Sequence, residues 1–384
     1  MSNYISNVKK QFKFKHIATW VSVLAVLIAL IILNSAGALN RSTIGLLSRI
    51  AYSIILAVSL NLVVGFLGEL SLGHAGFMCL GAYIGTFSAT GLSKSIDSDL
   101  LVLILAMFIG GAVAAIFGFI IGLPALRLKG DYLAIVTLAF GEIVRNIFKN
   151  LEIFGGAMGY NSKTYNQKKL FIIAFVAVII VLILIQNLIR SKHGRAITAI
   201  RDNEIAARAM GINVTFYKLF VFVIAAFFAG IAGVIYGHFT TPVLYTTFSY
   251  NYSIEILVMV VLGGMGSING SIIAATLITV VNFALQSKLS GDLAALRLMV
   301  YALVLITVVI FNNAPAFKPI KERFGISQLK ARRIEKKKEI IADDAAEWNR
   351  IETKVKMDAV LTTDIPHGEE PLQEDCDGSE KEGE

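Results

Sequence analysis

The chain has 384 residues, of which 56% are hydrophobic and 16% are charged, and its formal net charge is +8 at pH 7. This apolar content excludes a soluble globular protein and predicts an all-α polytopic membrane helix bundle. The two cysteines, Cys79 within an apolar run and Cys376 near the end of the chain, exclude a disulfide framework.

Apolar runs predict about ten spans, most of them near the ~20 residues that cross the hydrocarbon of a bilayer. The runs cover residues 17–34, 46–65, 71–91, 101–123, 131–148, 170–189, 217–237, 253–264, 271–286 and 295–312. The runs at 253–264 and 271–286 are short for a crossing. A tilted or re-entrant arrangement with eight or nine spans therefore stays open.

Residues 1–16 form a basic N-terminus, which the excess of Lys and Arg predicts to be cytoplasmic. Basic residues after the fourth, sixth and last spans place the opposite terminus and the loop at 190–216 on the same side, although the loop at 149–169 carries four lysines. Residues 36–38, Ala-Gly-Ala, have the form of a signal-peptide cleavage site. The preceding run exceeds the usual core of about 7–15 residues, which favours an uncleaved first span.

Residues 61–85 carry six glycines at the junction of two predicted spans. Irregular backbone inside a membrane is tolerated only where protein or a water-filled cavity surrounds it, which predicts a translocation path here. The candidate path residues in this stretch are Gly68, Glu69, Ser71, Gly73 and His74. Tight helix packing is the other interpretation, for which Gly81 and Gly85 have G-x-x-x-G spacing.

The predicted span at 131–148 carries Glu142 and Arg145, which lie three residues apart and so share one helix face. Charges inside a membrane are expensive and usually face the bundle interior or a cavity. A structural ion pair and a lining role in the translocation path both fit this spacing. Thr137, on the same span, is a further path candidate.

The stretch from Arg190 to Lys218 interrupts the apolar chain and is too charged to lie in lipid. Four apolar residues recur at three- and four-residue steps and predict one buried helical face: Ile197, Ile200, Ala207 and Met210. A docking surface for a cytoplasmic partner and an ordinary solvated loop both fit this pattern.

Asp202 and Asn203 interrupt that pattern with residue types that prefer helix caps to helix interiors. We therefore predict two short helices, about 195–201 and 204–210, joined at a capped break. Glu204 and Arg208 have the spacing of an i,i+4 ion pair, and Gly211 is placed to end the second helix.

A second group of glycines interrupts the chain at Gly263, Gly264, Gly266 and Gly270, after Glu255 has opened a short apolar run. Two interrupted segments in corresponding positions point to a binding site between repeats, so we hypothesise two five-span halves. The first three glycines and Glu255 are path candidates. A nucleotide-binding loop is excluded because the chain contains no Gly-Lys dipeptide.

The chain ends in a charged segment, residues 313–384, that is predicted to be cytoplasmic. Its first part is basic and its last forty or so residues are acidic and poor in apolar residues. This composition is typical of disorder. Residues 17–312 then form the transmembrane domain.

Residues 194–212, GRAITAIRDNEIAARAMGI, resemble the cytoplasmic loop by which permease subunits of ATP-binding-cassette importers engage their ATPases. In detail they are similar to the branched-chain amino-acid permeases of the LivM/LivH family, LivM type. Residues 68–75, GELSLGHA, and the stretch 126–150 resemble further motifs of that family, with Glu69 where many relatives carry Gln. The resemblance runs from about residue 45 to 312.

The resemblance implies a permease that carries branched-chain amino acids across the bacterial cytoplasmic membrane. It implies as partners a sister permease, two cytoplasmic ATPases and an extracytoplasmic substrate-binding protein. No cofactor is expected in this chain, because the partner ATPases bind ATP-Mg. The ATPase-coupling residues would be Gly194, Arg195, Ile200, Arg201, Asp202, Asn203, Glu204, Ala206, Ala207, Met210 and Gly211. Urea and short-amide importers look similar at these motifs, so the substrate stays open.

Two other functional classes, an ion-coupled secondary carrier and a membrane enzyme, place specific demands on the sequence. An ion-coupled secondary carrier needs intramembrane carboxylates, for which Glu69, Glu142 and Glu255 are the candidates. A membrane enzyme is disfavoured because the five histidines show no metal-binding or catalytic spacing and no Gly-x-Ser-x-Gly is present. No metal site is predicted.

Overall fold

The computed structural model describes residues 40–288, except positions 129, 163, 164 and 166, together with residues 303 and 306. The predicted basic N-terminus, the first span, the candidate cleavage site and the charged tail lie outside the described residues. Of the last predicted span only residues 303 and 306 are described, and both are helical.

The all-α class is confirmed for this part of the chain, in which no strand occurs apart from one isolated bridge between Tyr160 and Val243. Its α-helices are α1 Arg41–Asn61, α2 His74–Leu92, α3 Asp99–Ala125, α4 Asp131–Asn150, α5 Gln167–Arg190, α6 Lys192–Asp202, α7 Glu204–Ala209, α8 Val214–Phe239, α9 Tyr250–Gly263 and α10 Ile268–Lys288. A π-helical segment, Leu62–Leu67, continues α1. Short 3-10 helices span Glu152–Phe154, Gly156–Met158 and Tyr245–Phe248.

Six described segments are long and apolar enough to cross a membrane, which confirms a polytopic helical membrane protein. They are Ser42–Leu67, His74–Leu92, Asp99–Ala125, Leu170–Arg190, Val214–Phe239 and Ile268–Gln286. Helix α4 forms where a span is predicted, but its charged residues keep it out of this set. The count of ten spans and the two five-span halves stay predictions, since the first and last runs are not covered.

The two short runs have different outcomes. Helix α9 has 14 residues and stays shorter than an ordinary span, as predicted. The prediction that the run at 271–286 is too short is wrong, because α10 has 21 residues and extends past both ends of the run. The residues that lengthen it include polar ones, which a count of apolar residues leaves out.

Close helix packing at glycines builds the centre of the bundle. A Cβ placed on Gly81 of α2 would lie 2.1 Å from the Gly230 carbonyl oxygen of α8, and one on Gly233 would lie 2.1 Å from that of Met78. Real Cβ contacts are never this short, so only glycine lets the backbones of α2 and α8 approach so closely. The packing interpretation of Gly81 is thereby confirmed. Helix α1 lies inside the bundle, with nearly all of its spanning segment buried.

Candidate functional site

The loop at residues 190–216 joins α5 to α8, and we call it the coupling loop after the role that the sequence predicts for it. The end of the bundle that carries it is called the loop end. The coupling loop contains the two predicted short helices, α6 and α7, which are separated by Asn203. The Asn203 side-chain oxygen accepts hydrogen bonds from the backbone N–H groups of Ile205 and Ala206, both at 3.0 Å. Two of the N–H groups that lack a partner at the start of a helix are thus satisfied, which confirms the capped break.

Glycine determines both ends of the helix pair. A Cβ on Gly194 would lie 2.0 Å from the carbonyl oxygen of Ile189, so the corner between α5 and α6 has room only for glycine. Gly211 follows α7 with φ +79°, the left-handed conformation that suits a residue just past a helix end. Its predicted place is confirmed.

The buried face of the loop is predicted correctly for three residues and wrongly for one. Ile197, Ile200 and Ala207 are buried, whereas Met210 is 83% exposed. Helix α7 ends at Ala209, so the helical period no longer applies at position 210. Ile205 is 81% exposed, and Arg195 and Ala206 are exposed as well. The loop therefore presents two large apolar side chains, Ile205 and Met210, outside the bundle.

A chain of alternating charges connects α7 to α8 and to the first glycine-rich stretch. Glu204 contacts Arg208 at 2.7 Å, which confirms the predicted pair, and its other carboxylate oxygen lies 3.2 Å from the Lys218 ammonium. That ammonium also lies 2.5 Å from the carboxylate of Glu69. The sequence motifs do not indicate a role for Lys218, which lies at the end of the charged stretch from Arg190 to Lys218.

We call residues 68–73 the first break and residues 264–267 the second break. The first break follows the π-helical segment, begins at Gly68 with φ +83° and ends where α2 starts. The second lies between α9 and α10 and carries Gly264 and Gly266 at φ +89° and +79°. Beside it, a Cβ on Gly270 would lie 1.7 Å from the Gly263 carbonyl oxygen, so α9 and α10 meet at bare backbone.

Asn61, a fully buried residue of α1, holds the second break against the end of α1 and the π-helical segment that leads into the first break. Its side-chain oxygen accepts from Gly266 N–H at 2.9 Å, and its amide nitrogen donates to the Ser271 hydroxyl at 2.9 Å and to the Ser267 carbonyl at 3.2 Å. A Cβ on Gly65 would lie 2.2 Å from Gly266 N. Asn61 was missed at the sequence level, where an amide inside an apolar run was the available signal.

Three other helices hold the end of the first break and the start of α2. Thr137 of α4 accepts from Leu72 N–H at 3.0 Å, and a Cβ on Gly73 would lie 2.5 Å from the Thr137 carbonyl oxygen. His74 contacts the Ser59 hydroxyl of α1 at 2.8 Å. The last contact is made by α9, where the hydroxyl of Ser253 accepts from Ala75 N–H at 3.1 Å. Ser71 is buried in the same segment. The structure thus brings Ser71, Gly73, His74 and Thr137 together.

The remaining path candidates lie elsewhere. Glu142 and Arg145 form the predicted ion pair at 2.6 Å, and Glu142 also accepts from Tyr250 N–H at 2.9 Å, which connects α4 to the start of α9. Glu255 of α9 accepts from the Asn282 side chain of α10 at 2.9 Å. The structural role of the first pair is therefore confirmed, and a role of these residues in lining the path stays a prediction.

A cavity of about 230 Å³ opens at the loop end between α3, α7 and α8. Four charged residues line it together with apolar ones: Arg127, Glu204, Arg208 and Lys218. Among the described residues, no group of three His, Cys, Asp or Glu side chains is arranged to hold a metal ion.

The sequence of the chain is similar to that of known transport proteins. The model of the family described as "Branched-chain amino acid transport system / permease component" matches residues 42–309, well over half of the chain. The high-affinity branched-chain amino acid transport system permease protein LivM of Escherichia coli (strain K12) is 36% identical over 289 residues, which are 66% of this chain and 66% of that protein. The corresponding LivM of Salmonella typhimurium is also 36% identical, over 63% of each chain.

A more distant relative is the permease protein LivH of Salmonella typhimurium, 24% identical over 70% of this chain and 92% of its own length. The chain thus spans slightly less than two thirds of the two LivM proteins. No solved structure matches it significantly.

Proposed function

The chain belongs to the family of branched-chain amino acid transport system permease components, and we propose that it is the membrane subunit of an ATP-binding-cassette importer. In this proposal it carries leucine, isoleucine and valine across the cytoplasmic membrane, and separate ATPase subunits drive the transport. The chain itself would hydrolyse no ATP, since ATP-Mg would bind to those subunits. Both termini and the coupling loop would face the cytoplasm.

The observation that carries the proposal is the coupling loop. A capped helix pair that is anchored by buried Ile197 and Ile200 yet leaves Ile205 and Met210 largely exposed has the form of a docking surface rather than of a solvated loop. Isolated exposed apolar residues are common, but two on adjoining turns of a polar loop favour a protein partner. The ATPase subunit is the partner that the permease family supports.

Three further partners belong to the proposal. A sister permease would complete the pathway, a second ATPase would dock on that sister, and a substrate-binding protein would deliver the amino acid on the opposite side of the membrane. The names of the relatives support the sister permease, because LivM and LivH are both described as permease proteins of a high-affinity branched-chain amino acid transport system.

The carboxylates that an ion-coupled carrier would need are engaged in this structure. Glu69 contacts Lys218, Glu142 contacts Arg145, and Glu255 accepts a hydrogen bond from Asn282. Glu69 and Glu142 are neutralised by a cation, and such a carboxylate is poorly suited to pick up and release a proton or sodium ion. These contacts support the ATP-driven importer over the carrier.

The substrate is tested by uptake of labelled leucine and labelled urea in a strain that lacks the gene, with and without a plasmid copy. We expect the deletion to abolish leucine uptake alone and the plasmid to restore it. Loss of urea uptake alone would leave the proposal of an ATP-driven importer in place but would identify urea as its substrate. Leucine uptake by the chain without ATPases, abolished by an uncoupler, would instead support a carrier.

Docking is tested by placing a charge on the exposed apolar surface of the loop. Replacing both residues, Ile205→Asp and Met210→Asp, should reduce co-purification of the ATPase and leucine uptake by at least about tenfold, because each change would bury an unpaired charge in the interface. The matched control is Leu128→Asp, an exposed leucine at the loop end outside the coupling loop. Equal losses in the double variant and the control would contradict the docking role.

A further inference from the structure

The Arg201 side chain of the coupling loop contacts the first glycine break and the π-helical segment before it, and it lies close to the second break. Its Nη1 donates to the carbonyl oxygen of Gly65 at 3.0 Å. Its aliphatic stem covers the first break, since a Cβ on Gly68 would lie 2.8 Å from Arg201 Cγ. The same Nη1 would be 3.4 Å from a Cβ on Gly266 in the second break. A single guanidinium of the loop thus lies where the two breaks meet.

The arginine is suited to this place for a physical reason. Gly65 is one of the last residues of the π-helical segment, and the last carbonyls of a helix lack partners within it. A cation at that end also interacts favourably with the helix dipole. The carboxylate of Asp202 holds the other side of the guanidinium, at 3.1 Å from Nε and 2.9 Å from Nη2. Arg201 is therefore oriented by the loop and bonded to the membrane helix.

A second connection passes through Lys218. The lysine side chain is 6% exposed, and its two carboxylate partners, Glu69 and Glu204, are 13% and 19% exposed. A buried ammonium is stable only while its partners stay close, so neither carboxylate can leave it at small cost. Glu204 begins α7 and Glu69 lies in the first break, so this triad connects the loop to the break independently of Arg201.

The two connections reach the second break as well, because Asn61 holds Gly266 and Ser267 against α1. The polypeptide between Gly65 and Gly68 is short and buried. Displacement of α6 and α7 relative to the bundle must therefore either break charged hydrogen bonds or move both breaks with the loop. The second course keeps these charged hydrogen bonds, which are stronger than neutral ones.

We propose that Arg201 and Lys218 are positioning residues that transmit movement of the coupling loop to both glycine breaks. This inference rests on the proposed function, because the movement is supplied by the ATPases. A merely structural contact would hold the loop in place and would affect transport and ATP hydrolysis alike. A transmitting contact determines how much substrate moves for each ATP consumed.

The first test measures that ratio for Arg201→Gln in the complete transporter, reconstituted with its sister permease, ATPases and binding protein in proteoliposomes. Labelled leucine taken up and phosphate released are measured in the same vesicles. We expect ATP hydrolysis to continue while leucine moved per ATP falls at least about tenfold, since one charged hydrogen bond is lost. Arg201→Lys, which keeps the charge and one donor toward Gly65, should recover part of the ratio.

Arg49→Gln is the matched control. Arg49 also joins α1 to another helix, donating to Gln286 of α10 at 2.8 Å, but it lies in the first half of α1, away from Asn61 and the breaks. We expect this variant to keep the wild-type ratio. A parallel fall of transport and hydrolysis in Arg201→Gln, with the ratio unchanged, would overturn the proposal. Absence of ATP-driven leucine uptake by the wild-type transporter would instead refute the proposed function.

The second test is independent of Arg201 and replaces the ionic contact by a covalent one. Glu69→Cys in the break and Glu204→Cys in the loop, the two partners of Lys218, are combined with Lys218→Met in a chain whose Cys79 and Cys376 have been replaced by serine. Without treatment we expect a lowered ratio of leucine to ATP. A bis-methanethiosulfonate reagent that spans the two thiols should restore it, because the break again follows the loop. A cross-link that leaves the ratio low, or that stops transport altogether, would show that the two elements do not move together.

Discussion

At the loop end of the bundle charged and amide side chains join the helices, whereas at the far end, which carries segments 151–162 and 240–249, aromatic rings do. Tyr83 of α2 stacks on Phe148 of α4 with centroids 4.5 Å apart, and Phe154 packs edge-on against both rings. Tyr83 also donates to the carbonyl of Val243, and Val243 itself forms the backbone bridge with Tyr160. At the loop end the corresponding contacts are those of Arg201, Lys218 and Asn61.

The difference follows from what each contact can do. Stacked rings bury apolar area in fixed geometry, and close packing resists displacement in every direction. Charged hydrogen bonds are directional and strong, and they connect groups on segments that lack regular helix. We therefore expect the far end, where aromatic rings join the helices, to stay rigid. We expect the loop end, where charged side chains join the two breaks, to move.

The largest effect is expected at the loop end for Lys218→Met. The change removes the buried ammonium shared by the partly buried carboxylates of Glu69 and Glu204 and leaves Glu69 without its cation. Breaking a buried pair on one side costs about 3–5 kcal/mol. We expect a marked fall in the thermal unfolding midpoint of the purified complex, measured by size-exclusion chromatography after heating. We also expect leucine uptake to be lost.

Lys149→Met is the comparison for that variant. Lys149 lies over the ring of Tyr245 at the far end, 5.6 Å from its centroid, and is exposed. An exposed cation–π contact is worth less than about 1 kcal/mol. Similar midpoints for the two lysine variants would mean that the charges at the loop end are no more important than those elsewhere.

A smaller effect is expected at the far end for Phe148→Ala. The change removes the stack on Tyr83 and leaves a cavity, at a cost of about 3 kcal/mol. Stability should fall, but leucine moved per ATP should stay at the wild-type value because the breaks are untouched. Ile147→Ala, next in the chain and exposed, should do neither. If Phe148→Ala lowered the amount of leucine moved per ATP, the two ends of the bundle would not differ in function as we expect.

The sequence was sufficient for the elements whose cause is local. The capped break at Asn203, the Glu204–Arg208 pair and the turn at Gly211 all depend on residues within four positions, so their residue types predict them. The Glu142–Arg145 pair was predicted for the same reason. The predicted burial of Met210 was wrong because α7 ends before the turn at Gly211, so the helical period does not reach position 210.

What the sequence could not show is which distant segments meet. Lys218 lies 149 positions from Glu69, and Arg201 lies 136 positions from Gly65. Neither spacing carries a pattern, because these contacts depend on how the helices pack. The two breaks were found by their glycines, but their contact with each other and with the loop follows from the tertiary fold, in which Asn61 takes part.

The smallest effect is expected for Asn203→Ala, which removes a cap at the loop end without touching a charge. The amides of Ile205 and Ala206 lose their acceptor, at a cost of about 1 kcal/mol for an N-cap. We expect faster hydrogen exchange of these two amides and only a modest fall in uptake. Asn213→Ala is the matched cap at the start of α8, where a single amide, that of Phe216, is bound at 3.1 Å. Because 26-residue α8 is held by the bundle while six-residue α7 depends on its cap, exchange should increase more in the first variant. The opposite order would indicate that α7 is held by its ion pairs with Arg208 and Lys218 rather than by Asn203.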